Sequence, residues 1–301
     1  MLSLIHSCKG DVEQVRSMNF TQKHKDVELI IIDSLWTEET KEKIIDLKPY
    51  FKRLVYAPPK PRTEEKRFDF LSAHNTGLAF AEGAWCMGTG GRNELRQNFM
   101  VKLNETIRNF GVGASLRYLE EAKWLEHGKR FKEEYIDAMR KHDEKYGYSI
   151  GIRPVELEAN MLDTKWNYSS RFPQRYIIMP SVPIGNKDER AFKPIQTCGF
   201  IILPRYTWYD LNGFNEEYDV GCYWWDDDML YRLFVNNIRV ILDQELMIYR
   251  HPHISAAQPE NKECREIFNK NLEKFPRRAP NDFDMWELHE KCMEIKKDFI
   301  L

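Results

Sequence analysis

Apolar positions in the first hundred residues fall into short runs separated by polar stretches of helix length. Leu2 to Ile5 is the first run. The second is Val27-Glu28-Leu29-Ile30-Ile31-Ile32, ending at Asp33. An almost continuous run of this kind suits a strand buried on both faces of a parallel sheet. Residues 11 to 24 between them are polar, with Val12, Val15, Met18 and Phe20 spaced as in a short surface helix. Strand, helix and strand make a right-handed crossover unit. In such sheets ligands sit beyond the carboxyl ends of the strands. His6-Ser7-Cys8 and Asp33-Ser34 are therefore the first site candidates.

The pattern continues with a helix over Glu38 to Leu47, with Thr37 as N-cap, and a strand at Leu54 to Tyr56 stopped by Ala57-Pro58-Pro59-Lys60-Pro61. A helix is predicted over Phe70 to Ala81, ended by Glu82-Gly83. Ala84 to Met87 follows as a fourth strand, running into Gly88-Thr89-Gly90-Gly91-Arg92. Another helix is predicted over residues 95 to 110, and a charged helical excursion over Leu116 to about Lys145. Pro173, Pro180, Pro183 and Pro194 mark an irregular region. Gly199 to Leu203 is a further buried strand, 227 to 236 a helix, Leu246 to Tyr249 an apolar strand, and 283 to 300 an amphipathic segment suited to capping the fold or pairing two subunits.

Composition narrows the class. The chain has 301 residues, with 45 Lys+Arg against 47 Asp+Glu and a net charge of -2. That balance argues against a mainly electrostatic nucleic-acid binder. With 42% apolar and 31% charged residues, a sizeable core is expected. No apolar run approaches the roughly 18 residues of a membrane helix. The start MLSLIHSCKGD lacks the basic region of a secretory signal. The six cysteines are scattered without a Cys-x-x-Cys pair. Reduced thiols and a cytoplasmic location are expected.

Four segments in order carry a family resemblance. Glu28 to Ser34, followed by Thr37-Glu38-Glu39-Thr40, looks like "ElIivDD-s-d-T". Ala73-His74-Asn75-Thr76-Gly77-Leu78-Ala79-Phe80-Ala81-Glu82-Gly83 resembles "ARNxGixxAxG". Gly213-Phe214-Asn215-Glu216 is similar to "GGFdE". Trp225-Asp226-Asp227-Asp228-Met229-Leu230-Tyr231-Arg232-Leu233 resembles "EDxDLxxRL", and also the "WGGEDDD" of β-1,4-galactosyltransferases. Together these resemble glycosyltransferases of the GT-A fold, especially family 2. The resemblance implies an α/β fold, a Rossmann-like mixed sheet flanked by helices in one large domain with a helical insertion. Residues 1–115 would form the nucleotide-sugar half and 116–185 the insertion. Residues 186–301 would form the acceptor and catalytic-base half.

The resemblance also implies roles. His6, Ser7, Asp33, His74 and Arg92 would face a nucleotide-sugar donor, with a UDP-sugar the first expectation. Ser34 replaces a usual second aspartate, which leaves the base open. Gly90-Gly91-Arg92 stands where the family carries Asp-x-Asp to hold Mn²⁺ or Mg²⁺. Either the activity is lost, or Arg92 and backbone N–H groups replace the metal. His251 and His253, as His-x-His after a strand, are candidate metal ligands. Asp226 would be the general base of an inverting transfer, with Asp228 as a supporting acid. Crowding by Asp227 and Asp228 is expected to raise a pKa there. Acids at a helix start are also favoured simply by the helix dipole. Tyr223, Trp224 and Trp225 suit a sugar face or plain core packing. The acceptor class stays open among glycan, lipid, protein and modified nucleic acid. A non-catalytic GT-A-like binding module is the rival reading, and a nucleotidyltransferase a weaker one.

Overall fold

A computed structural model describes residues 1–9, 23–61, 69–89, 93–95, 98–110, 113–118, 176–178, 201–221, 224–236, 238, 240–250, 262–274 and 277–301. Strand β1 (Leu2–Cys8) is buried from Leu2 to Ser7, and β2 (His24–Asp33) from Val27 to Asp33. Both lie inside a sheet whose faces are covered on two sides, which is why their apolar residues do not alternate. Helix α1 (Glu38–Ile44) starts at a capping box in which Thr37 and Thr40 bond each other's backbone N–H. It tightens into a 3-10 turn (Ile45–Tyr50) containing Pro49, so the predicted helix to Leu47 is α-helical only to Ile44. Then come β3 (Phe51–Ala57), α2 (Phe70–Phe80) and β4 (Trp85–Thr89). Helix α2 is buried at every position from Leu71 to Phe80.

β1 pairs in parallel with β2 and with β4, and β2 with β3. β1 thus lies between strands reached in opposite directions, the switch point at which open α/β sheets bind ligands. Beyond β4 the sheet becomes mixed. β5 (Asn93–Leu95), α3 (Phe99–Phe110), β6 (Gly113–Tyr118), β7 (Tyr176–Ile178), β8 (Ile201–Pro204) and β9 (Val240–Arg250) give the order β3-β2-β1-β4-β8-β6-β9-β5, with β7 also on β9. β8 is antiparallel to β4 and ties the two halves into one sheet.

Two expectations are corrected here. Leu95, the first residue of the helix predicted over 95 to 110, pairs instead with Ile248 of β9, and the helix begins at Phe99. Leu116 to Tyr118, predicted as the start of the helical excursion, belong to β6, which lies between β8 and β9. Pairing between distant segments overrode the local helical pattern. The rest of that excursion, like the predicted helix at 11 to 24 save its last two residues, lies outside the described residues.

Helices α4 (Arg205–Asp210), α5 (Trp225–Val235), α6 (Lys262–Lys274) and α7 (Met285–Ile295) follow, with 3-10 turns at Glu216–Val220 and Lys296–Asp298. Apolar residues of α2, α4, α5, α6 and α7 pack on one face of the sheet around Ile5, Ile30 and Ile32. α1 and α3 cover the other face, around Leu4, Leu29, Ile31 and Tyr56. The free edge of β3 is closed by the C-terminus: Tyr56 N donates to Phe299 O and Leu301 N to Leu54 O, both at 3.0 Å. Cys8, Cys86, Cys264 and Cys292 are free thiols. Among the described residues no helix is long and apolar enough to cross a membrane.

Candidate functional site

The carboxyl ends of β1 and β2 come together in register, Ser7 opposite Ile32 and Cys8 opposite Asp33. Ser34 N donates to Cys8 O at 3.1 Å, folding the turn after β2 back onto β1. Asp33 is fully buried there. Its Oδ1 accepts from Leu35 N at 3.0 Å and its Oδ2 from the Tyr56 hydroxyl at 2.7 Å. That hydroxyl also lies 2.8 Å from Thr40 Oγ1 in the first turn of α1. Burial first, and the bond to Asp33 next, push the Tyr56 phenol well above its ordinary value, so it stays protonated. A carboxylate has about four acceptor positions. Asp33 is thus aimed by the turn after β2 and by β3.

In the turn just after it, Ser34 Oγ and Trp36 Nε1 are shut away from water without a hydrogen-bond partner, as is Ser7 Oγ at the end of β1, level with Ile32 on the other face of the sheet. Burying such groups unpaired costs about 1–3 kcal/mol each, so a cluster of them marks a place where a ligand or water completes the bonding. The Trp36 ring lies over Tyr56 (6.3 Å between centroids) and edge-on to Phe299 (6.1 Å).

His74, on α2, is also buried. Its Nδ1 lies 2.8 Å from Phe70 O. A carbonyl only accepts, so Nδ1 carries the proton. The ring edge lies against Gly88 of β4: a Cβ there would stand 2.9 Å from His74 Cδ2 and 3.5 Å from Nε2. His6, buried on β1, is held neutral, its pKa lowered to about 3 by burial and then by the nearby His74 imidazole.

Helix α5 reaches the same region through aromatic contacts. Trp225 lies 5.5 Å from Phe70 and 5.4 Å from Phe214, and Phe70 lies 4.4 Å from His74. The first turn of α5 carries Asp226, Asp227 and Asp228. Asp226 is half-buried, and its Oδ1 accepts from Asp227 N at 3.1 Å. Its pKa is raised, as expected, but the largest cause is loss of water around the carboxylate rather than crowding by its acidic neighbours. Asp228 points into the core. It is 1% exposed, ion-paired with Arg232 at 2.8 Å, and reached by Asn271 Nδ2 at 3.2 Å. Arg232 in turn donates to Leu211 O and Gly213 O. Asp228 therefore anchors α5, and this leaves Asp226 and Asp227 as the acids nearer solvent. Trp224, just before α5, has φ 65° and stacks on Phe268 of α6 at 5.1 Å.

The structure thus places His6, Ser7 and Asp33 at the carboxyl ends of β1 and β2, His6 and Asp33 on the Ile31 face of the sheet and Ser7 on the Ile32 face, which also carries His74 and, through Phe70, α5. Arg92, His251 and His253 lie outside the described residues. Among the described residues no group of three metal-ligating side chains occurs.

Sequence reasoning missed Tyr56, which reads as one more apolar strand residue. Only the register Ile31 opposite Tyr56 brings its phenol to Asp33. It also missed Asp219, whose carboxylate accepts from Leu71 N and Ser72 N and caps α2 from another segment. The motif asparagine Asn75 is structural. It donates to Phe214 O and Glu216 Oε1 and accepts from Phe214 N. A side chain at Gly213 (φ +69°) would stand 2.3 Å from Asn75 Oδ1.

No family model matches the sequence, and no curated protein matches it significantly. Solved structures do match. The structure of S. aureus TarS 1–349 in complex with UDP-GlcNAc aligns at a TM-score of 0.56 and 10% identity, over 95% of this chain and 69% of that one. TarS 1–349 in complex with UDP aligns at 0.54 and 10% identity, over 99% of this chain and 72% of that one. A longer S. aureus TarS chain aligns at 0.53 and 10% identity, over 96% of this chain and only 41% of its own length. The fold is that of GT-A glycosyltransferases, a mixed sheet flanked by helices.

Proposed function

We propose that the chain is a glycosyltransferase that moves a sugar from a nucleoside diphosphate sugar to an acceptor hydroxyl, with inversion. The observation that carries this reading is the oriented, buried Asp33 carboxylate with partnerless Ser34 Oγ and Trp36 Nε1 in the turn that follows it, at the switch point of the sheet. Those groups fit the nucleoside. Two structures of like fold, those of TarS, hold UDP and UDP-GlcNAc, which supports a donor of that class.

Asp226 is the base. The acceptor oxygen attacks C1 of the sugar as the bond to the diphosphate breaks, and Asp226 takes the acceptor's proton. Its raised pKa makes it a better base than an exposed aspartate. Asp228 serves by holding α5 through Arg232. Arg92 is proposed to face the diphosphate, and His251 and His253 to contact the diphosphate or a divalent ion. A metal bound there would offset leaving-group charge.

The sequence Gly90-Gly91-Arg92 in place of Asp-x-Asp favours a second reading, a donor-binding domain without turnover. Incubation with UDP-GlcNAc, UDP-glucose and GDP-mannose, with Mn²⁺ or with EDTA, separates the two. Release of the nucleoside diphosphate, abolished in Asp226→Asn, supports the transferase. Binding without any release supports the second reading. Activity retained in EDTA supports the assignment of Arg92, and strict Mn²⁺ dependence counts against it.

A further inference from the structure

β3 stands at one end of the strand order, so its outer backbone groups need cover. The residues after the last 3-10 turn provide it. Phe299 N donates to Lys296 O at 3.0 Å and closes that turn. Tyr56 N donates to Phe299 O, Ile300 bridges antiparallel to Val55, and Leu301 N donates to Leu54 O. All of these are main-chain contacts, which almost any residue supports. Covering the edge therefore does not account for a phenylalanine at 299.

Its ring does something different. It meets residues from both faces of the sheet. It lies edge-on to Phe80, with 5.9 Å between centroids and 70° between planes, and edge-on to Trp36 at 6.1 Å and 81°. Phe80 belongs to the core around Ile5 and Ile32, and Trp36 packs on the one around Ile31 and Tyr56. Phe80 is buried and offers a fixed support. Trp36 stands in a surface turn beside exposed Leu35.

That turn carries the candidate nucleoside groups. Trp36 N donates to Asp33 O at 3.1 Å, and Leu35 N to Asp33 Oδ1. The Trp36 ring lies over Tyr56, whose hydroxyl holds Asp33 Oδ2. Ser34 Oγ and Trp36 Nε1 are the partnerless atoms of the same turn. Phe299 thus meets both supports of Asp33, Tyr56 through its backbone and Trp36 through its ring, and ties them to Phe80.

Resting on the donor reading above, we propose that Phe299 is a positioning residue for the donor nucleoside. Its ring holds Trp36 and so presets the turn that offers Asp33, Ser34 Oγ and Trp36 Nε1. It touches no donor itself. A site set in advance spares the donor the cost of ordering it, and that cost returns when the support is removed. Proton transfer is assigned to Asp226, on another element. Donor affinity should therefore fall while the turnover of bound donor does not.

The test is calorimetric titration of the full chain with UDP-GlcNAc and with GDP-mannose, alongside donor KM and kcat read by release of the nucleoside diphosphate. Phe299→Ala should bind donor about two- to tenfold more weakly, the worth of one aromatic pair, with KM raised and kcat unchanged. Phe299→Tyr, which keeps the ring, should bind as wild type does. Phe299→Leu keeps apolar bulk against Phe80, is the milder change to the fold, and should also lose affinity. Lys296→Ala controls for lost stability: it weakens the fold without touching the ring contact, and its donor affinity should stay at the wild-type value. A double-mutant cycle tests the route, since in a Trp36→Leu background Phe299→Ala should cost no further affinity. Thermal unfolding checks that each variant is folded. Wild-type affinity in folded Phe299→Ala or Phe299→Leu overturns the proposal, as does an equal loss in Lys296→Ala or additive losses in the cycle. If the wild-type chain binds neither nucleotide, the donor reading itself fails and takes this inference with it.

Discussion

Two polar clusters lie on the same parallel strands, towards opposite ends. Towards the amino ends, fully buried Glu28 accepts from Ser3 Oγ at 2.6 Å and Glu82 N at 3.0 Å, and pairs with Lys296 at 2.7 Å and Arg53 at 3.3 Å. Lys296 also reaches Glu82 at 3.0 Å and Phe80 O at 2.5 Å. Arg53 closes the ring onto Glu82. Every one of these charges is answered by the chain itself. At the carboxyl ends, Ser7, Ser34 and Trp36 each bury a polar atom without a partner. Completed networks hold a fold together, and breaking them is costly. Incomplete ones leave room for a ligand, although Ser72 Oγ and Arg232 Nη2 are also partnerless within the packed scaffold. The contrast separates scaffold from site more sharply than burial does, since both clusters are buried.

Asp226→Asn should give the largest effect on function, a fall in turnover of about 10²–10⁴-fold. Donor affinity and thermal stability should stay near wild type. A variant that turns over at the wild-type rate removes Asp226 from the chemistry.

In the opposite cluster the loss should be one of stability. Lys296→Ala removes the nearer of the two cations on fully buried Glu28, leaving Arg53 at 3.3 Å, and should cost about 1.5–3 kcal/mol, read by denaturant unfolding. Folded protein should still bind donor normally. A loss of donor affinity out of proportion to stability would show that the two clusters are coupled.

Gly213→Ala comes next. It places a side chain at positive φ and against Asn75, at a cost of about 1–3 kcal/mol. Unchanged stability would mean that the turn can shift. Tyr56→Phe should be milder, about 1 kcal/mol in stability, with several-fold weaker donor binding as Asp33 loses the Tyr56 hydroxyl. Unaltered donor affinity would move Asp33 from site to scaffold.

The pH dependence of stability divides between the clusters. His6 is held at about 3, below its ordinary 6.5, and Glu82 at about 2, below its ordinary 4.5. For Glu82 the main cause is the Arg53 hydrogen bond, opposed by burial and reinforced by Lys296. Both values are depressed, so the folded chain binds fewer protons than the unfolded one. The stability they contribute is complete above pH 6.5. The His6 share is lost as pH falls from 6.5 towards 3, and the Glu82 share from 4.5 towards 2. Unfolding curves from pH 8 to 3 should show the first decline, and His6→Asn should remove it. A profile unchanged by that substitution would show that His6 is not its source.

Much of the N-terminal half was legible in the chain. The runs at Leu2 and Val27, the Thr37 cap and the helix from Phe70 are local signals, and local signals survive folding when the tertiary context agrees. Asp33 was visible because it ends the second of those runs, and His74 only because its segment resembles a family motif. Tyr56 and Asp219 were not, because their partners lie 23 and about 148 residues away. Nothing in the sequence around either announces the contact. Asp228 shows the converse. Its motif position suggested chemistry, and only packing showed its carboxylate turned onto Arg232.

By itself the sequence determined which segments become buried parallel strands and which acids begin α5, since periodicity and capping act over a few residues. The tertiary structure decided the rest: which strands adjoin, which carboxylates are spent on the core, and which polar atoms stay unanswered. Hydrogen-bond satisfaction is a property of neighbours in space, and the register of one strand against another settles it only once the chain has folded.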